Sequence, residues 1–215
     1  AKIEIKGKGC LVRNLWLRTI ECKLDLTVVD SAMTFFYTDE DSRADIFLDN
    51  CCIGSVCVNS YSKNIVLNQC TITNGTTSLW LWGSKIEIEK CIIYSAGNGF
   101  IISNNKPKID IKDSIVFADG NLMIDEDKTK AAKTSADVKK SKIPCNPSFK
   151  NVIEEKPLFE QNPSCSISYS YRTIQKFDIN WEKNVELQDF LLKADSPGKK
   201  EGWGVKFSAN NFPGQ

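Results

Sequence analysis

A short alternating pattern, apolar at its first and third positions, recurs along the first half of the chain. It reads Ile46-Phe47-Leu48-Asp49-Asn50-Cys51-Cys52-Ile53, then Ile65-Val66-Leu67-Asn68-Gln69-Cys70-Thr71-Ile72, Ile86-Glu87-Ile88-Glu89-Lys90-Cys91-Ile92-Ile93 and Ile109-Asp110-Ile111-Lys112-Asp113-Ser114-Ile115-Val116. The four copies start 19, 21 and 23 residues apart, and weaker copies at Leu24-Asp25-Leu26 and Ile3-Glu4-Ile5 continue the series upstream. A second alternating segment follows in each repeat: Leu15-Trp16-Leu17, Phe35-Phe36-Tyr37, Val56-Cys57-Val58, Leu79-Trp80-Leu81-Trp82, Phe100-Ile101-Ile102 and Leu122-Met123-Ile124. Alternation with period two is the mark of a strand, and a strand motif returning at this interval is one coil of a solenoid. The predicted fold is all-β: a right-handed parallel β-helix of about six coils with an irregular capping tail. An antiparallel sandwich would pair sequence neighbours in hairpins and gives no reason for a cysteine at the same place in successive repeats.

Because strand side chains alternate between faces, the Ile and Leu of each repeat point into the tube and the residue between them points out. Cys51, Cys70, Cys91 and Ser114 are expected to form one internal column. Polar residues such as Ser60, Asn64, Asn74, Gly75, Asn98 and Asn104 supply the turns. The outward positions of the second strand are apolar, with Trp16, Phe36, Cys57, Trp80, Ile101 and Met123 in one expected stripe and Trp82 at its edge. Two readings stay open for such a face. Tail residues such as Phe190, Trp181 or Trp203 pack over it, or it is a sugar-stacking platform whose ligand-binding residues are Trp16, Tyr37, Trp80 and Trp82. The outward stripe of the first strand instead changes from Phe47 and Val66 to Glu87 and Asp110.

The pattern divides the chain into coils over 1–125, a Lys-rich loop or short helix over 126–143, and a tail over 144–215 that packs on or caps the coils. The tail is broken by Pro147, Pro157, Pro163, Pro197 and Pro213. A solenoid exposes the edges and core of its end coils, so each end calls for a cover. The repeat begins at Ile3, which leads to the expectation of an upstream domain or a neighbouring chain over the first coil.

The repeats over Ile3 to Asp125 resemble those of the pectin lyase-like superfamily of right-handed β-helices. The segment Leu187-Gln188-Asp189-Phe190-Leu191-Leu192-Lys193-Ala194-Asp195-Ser196-Pro197-Gly198 is similar to the closing segment of many bacterial members, a strand followed by a Ser-Pro turn. The resemblance implies a module of a larger bacterial protein, carbohydrate as ligand class, and a place at the cell surface or beyond. Calcium-dependent lyases of that superfamily gather carboxylates on such a sheet beside a basic residue. Here Asp110 and Asp113 are the candidate metal ligands and Lys112 the nearest base, with calcium as the cation. The polygalacturonase-like members carry clustered aspartates and a Gly-His-Gly segment, which a chain without histidine cannot supply.

Composition narrows the chemistry further. Lys plus Arg (28) balances Asp plus Glu (27), so no global field selects nucleic acid, and no apolar run is long enough to span a bilayer. Six lysines between Lys128 and Lys142 lack interleaved aromatics and are read as a solvated excursion. Nine cysteines with no C-x-x-C pair and no histidine argue against zinc, and most are read as small buried hydrophobes. Many unpaired thiols point to a reducing compartment, opposite to the family habit. Cys57 has no imidazole to activate it. The expected function is a non-catalytic β-helix binding or scaffold module; the alternatives are a calcium-dependent polysaccharide lyase and a purely structural or assembly protein.

Overall fold

The computed structural model describes residues 2–7, 9–38, 42–58, 63–161, 163, 166–171, 177–183 and 190–206. The strands from Lys2 to Ile153 join one continuous 17-stranded system, parallel except for one short closing pair. It is a parallel β-solenoid whose coils contribute to three sheets.

The first sheet stacks Cys10–Arg13, Leu26–Val29, Asp45–Asp49, Asn64–Asn68, Lys85–Glu89 and the opening halves of Lys108–Ala118 and Asn146–Ile153. Its register aligns Ile46, Ile65, Ile86 and Ile109 in one inward column, as the repeat predicts, and Phe47, Val66, Glu87 and Asp110 in one outward column. The second sheet holds Thr71–Asn74, Ile92–Ser95 and the parts of longer strands around residues 16–17, 32–33, 52–53, 115–118 and 152–153. The third holds Lys2–Ile5, the closing parts of Trp16–Cys22, Ala32–Thr38 and Cys52–Val58, then Thr77–Leu81, Asn98–Ile102 and Met123–Asp125. The interior is one column of Ile, Leu, Val, Phe and Cys, most of them fully buried.

The corner between the first and second sheets is built the same way in every coil. Asn14, Asp30, Asn50, Gln69, Lys90, Asp113 and Asn151 all take positive φ, between 46° and 55°. Asn and Asp enter this left-handed region more readily than other non-glycine residues, and they fill five of the seven places. The next residue in five successive coils is Ser31, Cys51, Cys70, Cys91 and Ser114, the last four being the internal column read from the sequence and Ser31 extending it by one coil. Each of these donates from its own Oγ or Sγ to the carbonyl two residues earlier, at 2.7–3.3 Å. Three of the five, Ser31, Cys91 and Ser114, also accept from the neighbouring coil. Leu15 N–H donates to Ser31 Oγ at 3.2 Å, Cys70 N–H to Cys91 Sγ at 3.4 Å and Cys91 N–H to Ser114 Oγ at 3.0 Å. A sharp bend thereby keeps its buried N–H groups satisfied.

Several assignments shift. Ile3-Glu4-Ile5 pairs with Ile20-Glu21-Cys22 in the third sheet, and the first-sheet rungs upstream are Cys10-Leu11-Val12 and Leu26-Thr27-Val28. Phe36 and Met123 align with Val56, Leu79 and Phe100 and point inward, fully buried, not outward as expected. A one-residue slip in the assumed register is enough to reverse a face. The coils also continue past residue 125. Asn146–Ile153 adds a further rung, with Pro147 beside Ile109 on the free edge where proline is tolerated.

The two ends and the tail divide the covering work differently from the expectation. Ala132, Val138 and Ile143, set among the lysines of the 126–143 segment, join the main core and close the last coil. That segment contains the short strand Ala131–Ala132 and the helix Ser135–Val138. In the tail, Ser166–Tyr171 and Phe177–Lys183 form a separate antiparallel pair, and Pro197–Glu201 is a short helix begun by Ser196 and Pro197. Residues 187–189 of the Ser-Pro likeness lie outside the described residues.

The corner column gives a stability test. Cys91→Val removes the acceptor for the buried Cys70 N–H, whereas Cys91→Ser keeps an Oγ there. Urea unfolding is expected to place Cys91→Val about 1–3 kcal/mol below Cys91→Ser; equal stability of the two would contradict the ladder.

Candidate functional site

The outward column of the third sheet is Glu4, Glu21, Tyr37, Cys57, Trp80, Ile101 and Ile124. Cys57, Trp80 and Ile101 stand where the sequence places them, joined by Tyr37. This stripe is roofed. Phe190, itself 1% exposed, packs in one cluster with Phe35, Cys57 and Trp80, against which Tyr37, Trp82, Ile101 and Val205 also lie. Tyr37 stacks on Phe35 with centroids 5.4 Å apart, and Trp82 meets Trp80 edge-on at 6.1 Å. With 8% of its surface exposed, Trp80 has no free ring face to offer a sugar. Trp82 and Tyr37 are half-buried.

Trp16 belongs elsewhere. It begins the second sheet's outward column, followed by Ala32, Cys52, Thr71, Ile92 and Ile115, and it is 41% exposed on the first coil. Cys52 is thus a second outward cysteine, which the sequence reading missed.

The second sheet is roofed as well. Trp203 and Phe159 cluster with Ile92, Tyr94 and Ile115. Gly198 sits so close that a Cβ there would lie 2.6 Å from Ile92 Cδ1. The tail then climbs the left-handed corner. Gly204 N–H donates to Lys90 O at 2.6 Å, Val205 N–H to Thr71 Oγ1 at 2.9 Å and Lys206 N–H to Asn50 Oδ1 at 2.6 Å, while Asn50 Nδ2 returns a bond to Lys206 O at 3.2 Å. Lys156 fastens the earlier part of the tail, with its Nζ 2.9 Å from both oxygens of Asp119, which also accepts from Tyr94 Oη at 2.7 Å. Of the three aromatics expected to cover the stripe, Phe190 does so and Trp203 covers the neighbouring sheet; the side chain of Trp181 lies outside what is described.

The acidic candidates are each engaged separately. Asp110 stands on the first-sheet face 3.3 Å from Lys108 Nζ. Asp113 sits at the left-handed corner, accepting from Asn151 Nδ2 at 2.7 Å and lying 3.4 Å from Lys112 Nζ. The Asn151 amide, aided by Lys112, holds the Asp113 carboxyl below its ordinary value against a smaller opposing effect of burial. Lys112 is pushed up, first by Glu89 and then by Asp113, which keeps it protonated rather than poised as a base. Asp125 accepts from Thr129 Oγ1 at 2.6 Å and Lys130 N–H at 2.8 Å. Among the described residues no three His, Cys, Asp or Glu side chains gather as a metal site.

Most of the described thiols are held protonated by burial. All eight described cysteines are free. Burial pushes Cys51, Cys52, Cys57 and Cys70 up, Cys22 up to about 12 and Cys145 up to about 11. The thiolate needed for attack is therefore scarce at neutral pH.

The outer face of the first sheet, read from the sequence only for the carboxylates at its far end, also carries an apolar stretch. Its outward column runs Leu11, Thr27, Phe47, Val66, and then Glu87, Asp110 and Ser148. Phe47 and Val66 are half-buried and belong to none of the packed clusters among the described residues. Polar pairs flank them on both sides: Asn64 Nδ2 donates to Asp45 Oδ1 at 2.8 Å, and Asn68 Nδ2 to Asp49 Oδ1 at 2.7 Å.

The chain matches no protein-family model, no curated protein and no solved structure.

The roof over Cys57 can be tested chemically. In the native chain, maleimide labelling followed by peptide mapping is expected to modify the half-buried Cys10 and Cys145 and spare Cys57. Phe190→Ala is expected to admit the reagent to Cys57; rapid labelling of Cys57 in the unmodified chain would contradict the roof.

Proposed function

We propose that the chain is a non-catalytic β-helix binding and scaffold module, with carbohydrate its favoured ligand class. The observation that carries this reading is the distribution of cover. Two outer faces are packed beneath the tail, while the first-sheet face keeps an apolar column between hydrogen-bonding side chains, the combination that suits sugar rings and their hydroxyls. Its resemblance to the pectin lyase-like superfamily supports the same ligand class and a place within a larger bacterial protein. The dispersal of Asp110, Asp113, Asp119 and Asp125 into separate ion pairs and turns weighs against the calcium-dependent lyase alternative.

A separate observation favours assembly as the second reading. Leu11, Leu15 and Trp16 are 65%, 38% and 41% exposed, and all three lie on the first coil. The Lys2–Ile5 and Cys10–Arg13 strands there pair on one side only among the described residues. A preceding coil or a neighbouring chain would cover both the apolar side chains and the open edges.

A glycan array probed with the folded chain, together with an ultraviolet assay for unsaturated uronate products with and without calcium, separates these readings. Binding without turnover is expected. Calcium-dependent product formation would establish the lyase instead, and absence of all glycan binding would leave the assembly role.

A further inference from the structure

We propose that the ligand surface is the outer face of the first sheet over its first four rungs, and that it takes an extended neutral oligosaccharide lying along the tube axis, one sugar ring per rung. The proposal rests on the carbohydrate reading above and assigns it a place, a direction and a charge class.

Three features of that face carry it. The first is continuity: Leu11, Thr27, Phe47 and Val66 are aligned neighbours on successive rungs, a mainly apolar strip with one hydroxyl, that of Thr27, beside the aromatic ring of Phe47. Rungs lie about 4.8 Å apart, roughly the length of one sugar ring, so a straight glycan parallel to the axis keeps step with them. Apolar ring faces then rest on the strip.

The second is the repeated polar border. Asp45 and Asn64 line one side of the strip and Asp49 and Asn68 the other, each pair joined by a hydrogen bond from amide to carboxylate. Asp25 fixes the same edge by accepting from Asp45 N–H at 2.9 Å. Such pairs are held in place before a ligand arrives. They leave carboxylate lone pairs and a second amide hydrogen for hydroxyl groups, which both donate and accept.

The third is charge. Over the four rungs the outward charged residues are Asp25, Asp45 and Asp49 and one cation, Arg13, which is already paired with the corner carboxylate of Asp30 at 3.2 Å. Three unneutralised carboxylates repel a uronate chain and leave a neutral one unaffected. Further along the tube the face changes character, as Lys85 bonds Glu87, Lys108 pairs with Asp110 at 3.3 Å and Lys112 with Glu89 at 3.1 Å. Those pairs end the apolar strip at Val66, so the site is about four rings long.

Calorimetric titration tests the proposal, using neutral β-linked oligosaccharides of two to eight sugars and oligogalacturonates of matching length. Affinity is expected to rise with length up to about four neutral sugars and then level off, with oligogalacturonates bound more weakly. Phe47→Ser and Asn68→Ala are each expected to lower affinity about tenfold or more, with circular dichroism and thermal midpoint close to those of the unmodified chain. Neutral-glycan binding that survives both changes but is lost with Trp16→Ala or Trp82→Ala would overturn the placement and leave the carbohydrate reading standing. A preference for oligogalacturonates would overturn the charge class. Failure of the folded chain to bind any glycan would overturn both the placement and the reading beneath it.

Discussion

The left-handed corner between the first and second sheets is the constraint on which the rest of the molecule depends. Each coil must turn sharply at one residue, and a β-strand cannot do so without leaving buried N–H and C=O groups in need of partners. Seven residues accept positive φ, and the Ser or Cys that follows in five consecutive coils carries an oxygen or sulfur into the gap. Because those atoms bond both within a coil and between coils, they fix the vertical register as well as the bend. The inward Ile column and the outward Phe47-Val66-Glu87-Asp110 column inherit that register. Cys51, Cys70 and Cys91 are therefore structural members of the corner, with burial pushing the Cys51 and Cys70 thiols up.

The same corner decides where the tail can go. Asn50 and the Lys90 carbonyl project main-chain-like groups outward, and residues 204–206 pair with them while running across the coils. That path lays Phe190 and Trp203 over the second and third sheets, and none of the described tail residues joins a cluster with the outer side chains of the first. An apolar outer face then has two fates in this protein. Under the tail it becomes a second core, as around Trp80 and Ile92. On the first sheet Phe47 and Val66 lie outside the packed clusters among the described residues, and Asp45, Asn64, Asp49 and Asn68 beside them bond to one another.

How much of this is legible in the sequence follows from how strongly each face alternates. In the first sheet Ile86-Glu87-Ile88-Glu89 and Ile109-Asp110-Ile111-Lys112 alternate cleanly, and the regular return of the motif carries the same register back to the copies interrupted by Phe47 and Val66, so strand, register and the cysteine column can be read directly. In the third sheet the roof makes both faces apolar, and Phe35-Phe36 or Leu122-Met123-Ile124 gives no sign of which residue points in. Trp16 was misplaced because second- and third-sheet rungs run together in the single strand Trp16–Cys22, without a turn residue to mark the change. The rung at Asn146–Ile153 was hidden by Pro147, a residue that argues against a strand except on an edge. Tertiary cover is not a local property, so which of the expected tryptophans stayed open could be read only from the folded chain.

The claim that two faces are covered and one is open is tested most directly by carbene footprinting of the native chain with residue-level mass spectrometry. Trp16 and Phe47 are expected to label readily while Trp80, Cys57, Ile92 and Trp203 stay protected until the chain unfolds. Labelling of Trp80 as fast as that of Trp16, or protection of Phe47 equal to that of Ile92, would contradict it.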